Sequence, residues 1–422
     1  MTEIDGHALV APGAYAERGV PHDQWTELRQ LDRLHYCEPS GFDAFYPIVR
    51  HEHICEISKQ PDLFWSRFGI VLESEQQKLI IGQNDAGGIG TARAIIGMDP
   101  PEHRDYRKVA APWFTPRAIQ RVATLARESA DSLVAGMVER ASGREGVCEF
   151  ANDVAAAHPL RILSTVLGVP REQEPQILEL TNQLFAADDP DLQREGEDRA
   201  EAAKSLAIEF FGMFNQIIED RRANPTDDLA SLLANGRVNG EPMGLMETLG
   251  YFLITFSAGH DTTKNALAGG IHALAEHPEE FQKLKRNPEL IPSAVEEIVR
   301  WTSPVNYMKR VVGEDLEFRG QKLRKGDNLV MFYASANRDE TIFEDPFTFR
   351  IDRTPNRHLG FGIGQHFCLG AHLARESQKA MLGEIVRRID SLELAGESEQ
   401  IHSSFVVGLK KLPLRYRVSE AA

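Results

Sequence analysis

Apolar residues recur every three to four positions in several long stretches of the chain, which is the spacing of one helical face. The pattern predicts helices over residues 25–34, 118–140, 292–301 and 369–389. A further stretch, residues 243–276, would form a helix about 50 Å long at 1.5 Å per residue. Its middle, residues 251–257, is apolar almost all round. That is typical of a helix buried through the centre of a molecule.

Short strand patterns lie between the predicted helices. Residues 45–55 indicate a strand followed by the start of a helix, and residues 316–333 alternate around G-Q-K-L-R-K-G-D, which predicts a hairpin-like β element. Residues 68–97 are irregular and glycine-rich, with most of the glycines from residue 82 onward, and they predict a flexible loop over a pocket. The predicted fold class is therefore mainly α with small β-sheets.

Polar residues interrupt the apolar centre of the long helix. They form the run Ala258-Gly259-His260-Asp261-Thr262. Glycine weakens a helix interior, and an acid beside a hydroxyl in an apolar helix is costly unless both have partners or a task. Two interpretations stay open, a functional site or a kink whose polar side chains are merely capped.

A glycine-rich loop precedes the last predicted helix. Residues 358–370 read H-L-G-F-G-I-G-Q-H-F-C-L-G, and the glycines allow tight turns and close approaches. Cys368 lies at the start of the following helix, where the helix dipole favours a thiolate. Such a thiolate could be a metal ligand, a nucleophile or a redox sensor.

Two cation-capable side chains are predicted on one face of a short helix. Asp99 is a plausible N-cap with prolines after it, which places His103 and Arg107 one turn apart. They suit an anionic partner, although a solvated charged face is the usual meaning of such a run.

Glu297 and Arg300 are also close enough to pair, but spacing alone proves nothing for an exposed pair.

Composition excludes several function classes. The formal net charge of −16 argues against nucleic acid or an anionic membrane as the main partner. The four cysteines form no CxxC pair, so neither a zinc site nor a disulfide framework is indicated, and a reducing cytoplasm fits. No apolar run approaches the roughly 20 residues of a membrane span, and the first residues lack the pattern of a signal peptide.

The spacing F-G-x-G-x-H-x-C-x-G resembles the haem-thiolate loop of the cytochrome P450 family. It is carried by Phe361, Gly362, Gly364, His366, Cys368 and Gly370. The A-G-x-D-T and E-x-x-R strings resemble the same family, and several segments are similar to those of soluble bacterial, terpineol-type monoterpene hydroxylases. The resemblance covers the chain from about residue 20 to its end. It implies one domain over residues 1–422, with a β-containing lobe at about 25–70 and 310–335 plus a C-terminal hairpin.

The resemblance also implies a cofactor and its contacts. The cofactor is haem b (heme b, iron protoporphyrin IX), held between the central helix and the cysteine loop, with Cys368 as the iron ligand. Ala258 and Gly259 would make room for dioxygen, and Asp261 with Thr262 would deliver protons. The implied propionate donors are His103, Arg107, Arg310, His358 and His366. The implied substrate pocket comprises Leu253, Phe256, Val305, Tyr307, Met308, Phe405 and Val406. Glu297, Arg300 and Arg353 would have a folding role.

The implied activity is hydroxylation of a terpenoid, alkylaromatic or steroid with O2. A ferredoxin or flavodoxin with an NAD(P)H-dependent reductase would supply two electrons to a cytoplasmic monomer. The expected docking patch is Arg104, Lys108, Arg117, Lys379 and Arg387. Three alternatives stay open: a peroxide-driven peroxygenase of the same fold, a haem sensor or carrier, and a hydrolase that uses Cys368 with His366 or His358.

Overall fold

The computed structural model describes residues 4–75, 77–78, 93–185, 189–192 and 199–420. Residues 76 and 79–92, which belong to the expected glycine-rich loop, lie outside these ranges. In chain order, helices α1 to α14 are Pro12–Arg18, His22–Arg29, His51–Ser58, Glu102–Ala110, Pro116–Arg140, Ala157–Val166, Glu174–Phe185, Arg199–Ala223, Leu229–Ala234, Leu245–Glu276, Pro278–Arg286, Ile291–Thr302, Tyr333–Ala336 and Ala371–Arg388. The mainly helical fold predicted from the sequence is confirmed.

The strands are short and form small sheets. In chain order, β1 to β13 are Phe45–Ile48, Phe64–Trp65, Glu145–Glu149, Arg237–Val238, Glu241–Pro242, Tyr307–Val312, Leu316–Phe318, Gln321–Leu323, Asn328–Phe332, Ile389–Leu394, Glu399–Gln400, Leu409–Lys411 and Pro413–Val418. A four-stranded sheet has the order β1-β9-β6-β2, and a three-stranded sheet has the order β10-β13-β3. Strand β1 is parallel to β9, whereas β6 is antiparallel to both β9 and β2.

The long helix α10 is continuous from Leu245 to Glu276, so its central polar run does not interrupt the helix. Its apolar residues join two large core clusters, one that includes Phe252 and Phe256 and one that includes Ile271 and Leu274. Burial of these side chains from several directions explains why the segment is apolar almost all round. No helix within the described ranges has both the length and the apolar character needed to cross a bilayer.

A buried ion network anchors the chain before the cysteine loop. Arg300 donates two hydrogen bonds to the Glu297 carboxylate, at 2.7 and 2.8 Å. Arg353 Nε lies 3.1 Å from Glu297 Oε2, and its Nη2 donates to the Thr348 carbonyl at 2.7 Å. Arg300 also donates to the carbonyls of Asn337 and Pro346. The network therefore ties α12 to the irregular segment that leads to the cysteine.

Candidate active site

Backbone geometry shapes the cysteine loop. Gly364 has a φ of +76°, and a side chain there would also collide with the Ser58 carbonyl. Glycine is therefore required for both conformation and space. The Cys368 N–H donates to the Phe361 carbonyl at 2.8 Å, which closes the loop. Arg107 donates to the Phe367 carbonyl at 2.6 Å and so holds the loop from the opposite side.

Burial has the largest effect on the Cys368 thiol. It raises the pKa of Cys368, while a Gly370 backbone hydrogen bond and the charges of Arg107 and Arg375 act in the opposite direction. Helix α14 begins at Ala371, with Gly370 as its N-cap. The Gly370 N–H at the start of the helix favours the thiolate, as expected, although burial has the larger effect in the opposite direction.

Cationic and imidazole side chains converge beside the loop. The rings of His103 and His366 lie 4.2 Å apart between centroids. Burial and the charge of Arg107 together lower the pKa of His103 to about 4. Burial, Arg310 and His103 together lower the pKa of His366 to about 2. The guanidinium groups of Arg107 and Arg310 therefore create a positive environment in which both imidazoles are neutral at pH 7.

This cationic cluster fits an anionic ligand. His103 Nε2 is buried without a hydrogen-bond partner among the described residues. Arg310 is buried and donates to the carbonyl of its neighbour Lys309 at 2.8 Å. The oxygens of the nearby Asp99 carboxylate already accept from the Ser66 and Arg67 backbones and from the Arg67 side chain. Buried cations of this kind are normally paired, so carboxylates from a bound group would complete the cluster.

The contacts of Asp99 correct one expectation, and those of His358 show which protein atoms its ring meets. Helix α4 begins at Glu102 without a side-chain cap, because Asp99 binds Ser66 and Arg67 instead. His358 Nδ1 accepts from the Gly360 N–H at 3.2 Å, and its Nε2 lies 3.0 Å from Glu296 Oε2. Both ring nitrogens of His358 thus have protein partners, and its role as a propionate donor stays a prediction.

The polar residues of α10 point in different directions. Thr262 Oγ1 donates to the Ala258 carbonyl at 2.6 Å. Asp261 is buried, and its Oδ1 lies 3.3 Å from His260 Nδ1, while His260 Nε2 donates to the Ala156 carbonyl at 3.1 Å. A β-carbon added at Gly259 would lie 3.1 Å from a Leu163 methyl group. Gly259 therefore serves the close approach of α10 to α6.

A mainly apolar cavity of about 520 Å³ lies against α10. It is lined by Ala258, Thr262 and six of the seven predicted pocket residues: Leu253, Val305, Tyr307, Met308, Phe405 and Val406. Phe256, the seventh, is fully buried in the hydrophobic core, where its ring stacks 6.0 Å from His260. The expectation that Phe256 lines the pocket is corrected, because its ring is on another side of α10.

A second, smaller cavity of about 150 Å³ is lined mainly by polar residues, although apolar atoms form most of its surface. It is lined by Asn152, Asn182, Asp191, Asp261, Lys264, Asn265, Ile401, Val406, Lys410 and Lys411. Asn265 is buried, and both polar atoms of its amide lack a hydrogen-bond partner in the described part of the chain. Buried amides of this kind are normally satisfied by ordered water. Asp261 therefore borders a space suited to water, while its neighbour Thr262 borders the apolar cavity.

Several residues of the site gave no signal in the sequence. The Ser66 hydroxyl lies 3.2 Å from His366 Nε2, although 300 positions separate them. Glu296 and Arg375 form a bidentate ion pair beside Phe361. Asn265 is one helical turn beyond Asp261, and that i,i+4 spacing could have drawn attention to it. The long-range contacts could not be found from local patterns.

The architecture and the cysteine loop define the class of protein. The family model described as Cytochrome P450 matches residues 84–418. The chain therefore belongs to the cytochrome P450 family and is a monooxygenase of that family, whose cofactor is haem with a thiolate-bound iron.

Relatives extend this assignment over nearly the whole chain. The chain is 35% identical to Cytochrome P450-terp of Pseudomonas sp over 99% of its own length and 98% of the relative. It is also 35% identical to Linalool 8-monooxygenase of Pseudomonas putida, over 96% of this chain and 97% of the relative. The crystal structure of CYP108D1 from Novosphingobium aromaticivorans matches with a TM-score of 0.89 and 35% identity, covering 98% of both chains.

Proposed function

We propose that the chain hydroxylates a hydrophobic small molecule with O2, using haem b bound through Cys368. The observation that carries this proposal is the cluster of His103, Arg107, Arg310 and His366 beside the cysteine loop, with an unpartnered nitrogen on the buried His103. These four side chains could donate hydrogen bonds to the two propionate carboxylates of a haem and offset their charge. When bound, the haem supplies O2 activation, and a thiolate ligand favours cleavage of the O–O bond.

Asp261 and Thr262 are proposed to deliver protons. Asp261 borders the smaller cavity and Thr262 the larger one, so adjacent side chains on α10 reach two separate cavities. The Asp261 carboxylate would accept a proton from water held by Lys264 and Asn265. The Thr262 hydroxyl would hold a proton at the wall of the apolar cavity. This arrangement supplies protons while bulk water stays outside the substrate space.

The proposed substrate is a terpenoid alcohol. The cavity has many apolar walls, formed by Leu253, Val305 and Met308, and hydroxyl groups from Ser257 and Tyr307. Such a lining suits a compact hydrocarbon with one polar group. The relative named Linalool 8-monooxygenase acts on a molecule of that kind, which supports the choice. Alkylaromatic and steroid substrates of similar polarity are the other members of the proposed class.

We propose that the protein is a cytoplasmic monomer. Its electrons would come from a ferredoxin or flavodoxin together with an NAD(P)H-dependent reductase. The expected docking patch is less basic than its composition indicates. Lys108 pairs with Asp105, Lys379 with Glu376, and Arg387 with Glu384. Arg104 and Arg117 are exposed and contribute the remaining positive charge. A docking surface with offset charges would give an association rate that depends only moderately on salt.

The variant Cys368→Ser tests the proposed function. It should lose the red-shifted Soret band of the ferrous carbonyl complex, because serine oxygen is a harder and less electron-donating ligand than thiolate. The measurement is a carbon monoxide difference spectrum of purified protein, with Cys148→Ser as the control at a buried cysteine far from the loop. An unchanged band in Cys368→Ser would refute the assignment.

The peroxygenase alternative differs in its oxidant. The presence of Asp261 and Thr262 beside separate cavities supports the oxygen-activating version, since peroxide already carries the electrons and protons that these residues would help to supply. Turnover with a redox partner compared with turnover in peroxide distinguishes the two. Family membership excludes the cysteine-nucleophile hydrolase.

A further inference from the structure

Three side chains from separate segments meet beside the cysteine loop and form what we call the Glu296 cluster: Glu296, His358 and Arg375. Arg375 on α14 donates to both oxygens of Glu296 on α12, at 2.6 and 2.8 Å. Burial raises the pKa of Glu296, but Arg375 and His358 outweigh it and lower the pKa to about 2. Glu296 is therefore a carboxylate at neutral pH.

The hydrogen bonds of His358 fix its tautomer. Its Nδ1 accepts from the Gly360 N–H, so the proton of the neutral ring is on Nε2 and is donated to Glu296. The imidazole thereby joins the backbone of the cysteine loop to the Glu296 carboxylate. The loop is held from outside by a charged pair and not only by its own turns.

The guanidinium of Arg375 lies over the Phe361 ring, 4.4 Å from its centre. The Phe361 carbonyl in turn accepts the Cys368 N–H at 2.8 Å. Arg375 therefore places a fixed positive charge next to the group that orients the cysteine. Glu296 offsets that charge through the two-point ion pair.

We propose that Arg375 and Glu296 are positioning residues with opposite effects on the electron density at the Cys368 sulfur. Arg375 draws electron density from the thiolate, and Glu296 weakens that effect. The inference rests on the proposed function, because Cys368 must hold the haem. Positive charge near the thiolate favours the more electron-rich ferrous state, whereas negative charge disfavours it. The two residues should thus shift the reduction potential in opposite directions.

The test uses the haem-loaded protein and the variants Glu296→Gln, Arg375→Gln and the double variant. Glu296→Gln should raise the midpoint potential, because Arg375 is then no longer offset, and Arg375→Gln should lower it. The double variant should return towards wild type. Each single shift should change the ferrous-to-ferric ratio at the wild-type midpoint roughly two- to fivefold, the scale of a partly exposed charge. Spectroelectrochemical titration measures the shift.

A matched control is Glu376→Gln, which removes a carboxylate paired with Lys379 on the same helix. It should leave the midpoint within error, because that pair does not contact Phe361. Arg375→Lys keeps the charge and should retain a potential near that of wild type. If Arg375→Gln loses its haem, Glu296→Gln still decides the inference, because a raised midpoint supports it and a lowered midpoint overturns it.

Shifts in the same direction for both single variants, or no shift in either, would overturn the inference. An equal shift in Glu376→Gln would also overturn it, since any surface charge would then suffice. Slower reduction by a redox partner at an unchanged midpoint would assign the cluster to docking instead. Failure of the proposed function is distinguishable, because wild-type protein would then lack the red-shifted carbonyl band.

Discussion

The Thr262 hydroxyl forms its hydrogen bond inside α10, to the Ala258 carbonyl, and at the same time borders the apolar cavity. A threonine hydroxyl bound in this way keeps a lone pair for a second partner. Its place at the cavity wall makes it the last protein group between Asp261 and the space where the substrate would lie. Its removal should therefore affect the chemistry without affecting the fold.

For Thr262→Ala we expect normal haem binding but less product per NAD(P)H consumed, because a proton donor at the cavity wall is lost. A loss of about tenfold or more in coupling would match the usual contribution of positioned proton transfer. The measurement is the ratio of product to NAD(P)H with a redox partner. Thr263→Ala, at a buried neighbour that does not line the apolar cavity, is the control. Equal coupling in the two variants would contradict the assigned role.

The sequence pointed to single residues where the evidence was local. The cysteine loop and the acid–alcohol pair are short strings, and their spacing alone indicated unusual positions. Phe256 was assigned to the wrong side because a helix that is apolar all round gives no signal for which face borders a cavity. The partners of His358 and Asp99 lie 62 and 33 positions away. Local spacing contains no information about such contacts.

At the scale of elements, the Glu297 network carries the connection between α12 and the cysteine loop. Glu297 and Arg300 are fully buried, and Arg353 is nearly so. Glu297→Gln would leave two buried guanidinium groups without a carboxylate, which should lower the free energy of unfolding by about 3–5 kcal/mol. Urea denaturation and the yield of haem-loaded protein measure the loss. The exposed Glu279→Gln is the control, and a loss below about 0.5 kcal/mol in Glu297→Gln would argue against a folding role.

The contact between α6 and α14 should depend on pH through His158. Its Nδ1 lies 3.0 Å from Ser129 Oγ and its Nε2 3.0 Å from the Ser377 carbonyl. Burial lowers the pKa of His158 to about 4. Below a pH of about 6.5, His158 therefore binds a proton in the unfolded chain but stays neutral in the folded chain until the pH approaches 4. Between those values His158 should reduce stability by up to about 1.4 kcal/mol per pH unit as the pH falls.

The comparison variant for this effect is His158→Gln, which keeps a donor and an acceptor but does not titrate. Its stability deficit relative to wild type should narrow as the pH falls from 6.5 towards 4. Melting temperatures of both proteins across this range give the difference. A deficit that is constant with pH would contradict a neutral, buried His158.

At the scale of the whole molecule, binding in the cavity tests directly whether the substrate is a terpenoid or a steroid. Linalool and α-terpineol should shift the iron towards high spin at lower concentration than a steroid, because a compact alcohol matches the proposed class. Leu253→Phe, which narrows the cavity, should weaken the steroid response more than the terpenoid response. Phe256→Leu is the matched control outside the cavity. A stronger response to steroids would replace the terpenoid proposal.

The arrangement of one domain over residues 1–422 stays a prediction, as does the monomeric state. The family fold was predictable because its defining strings are distributed along the chain. The small sheets were less so, since β1 pairs with β9 across more than 280 positions. Alternation within each strand predicts a strand but not its partner.

Val406 lines both the larger cavity and the smaller one. A single branched side chain thus forms part of the wall between the space that Asp261 borders and the space that Thr262 borders. At a site open to water, the electrons reduce oxygen without forming hydroxylated product. The efficiency of this enzyme, as distinct from its rate, would therefore depend on how completely Val406 prevents water from passing from the smaller cavity into the larger one.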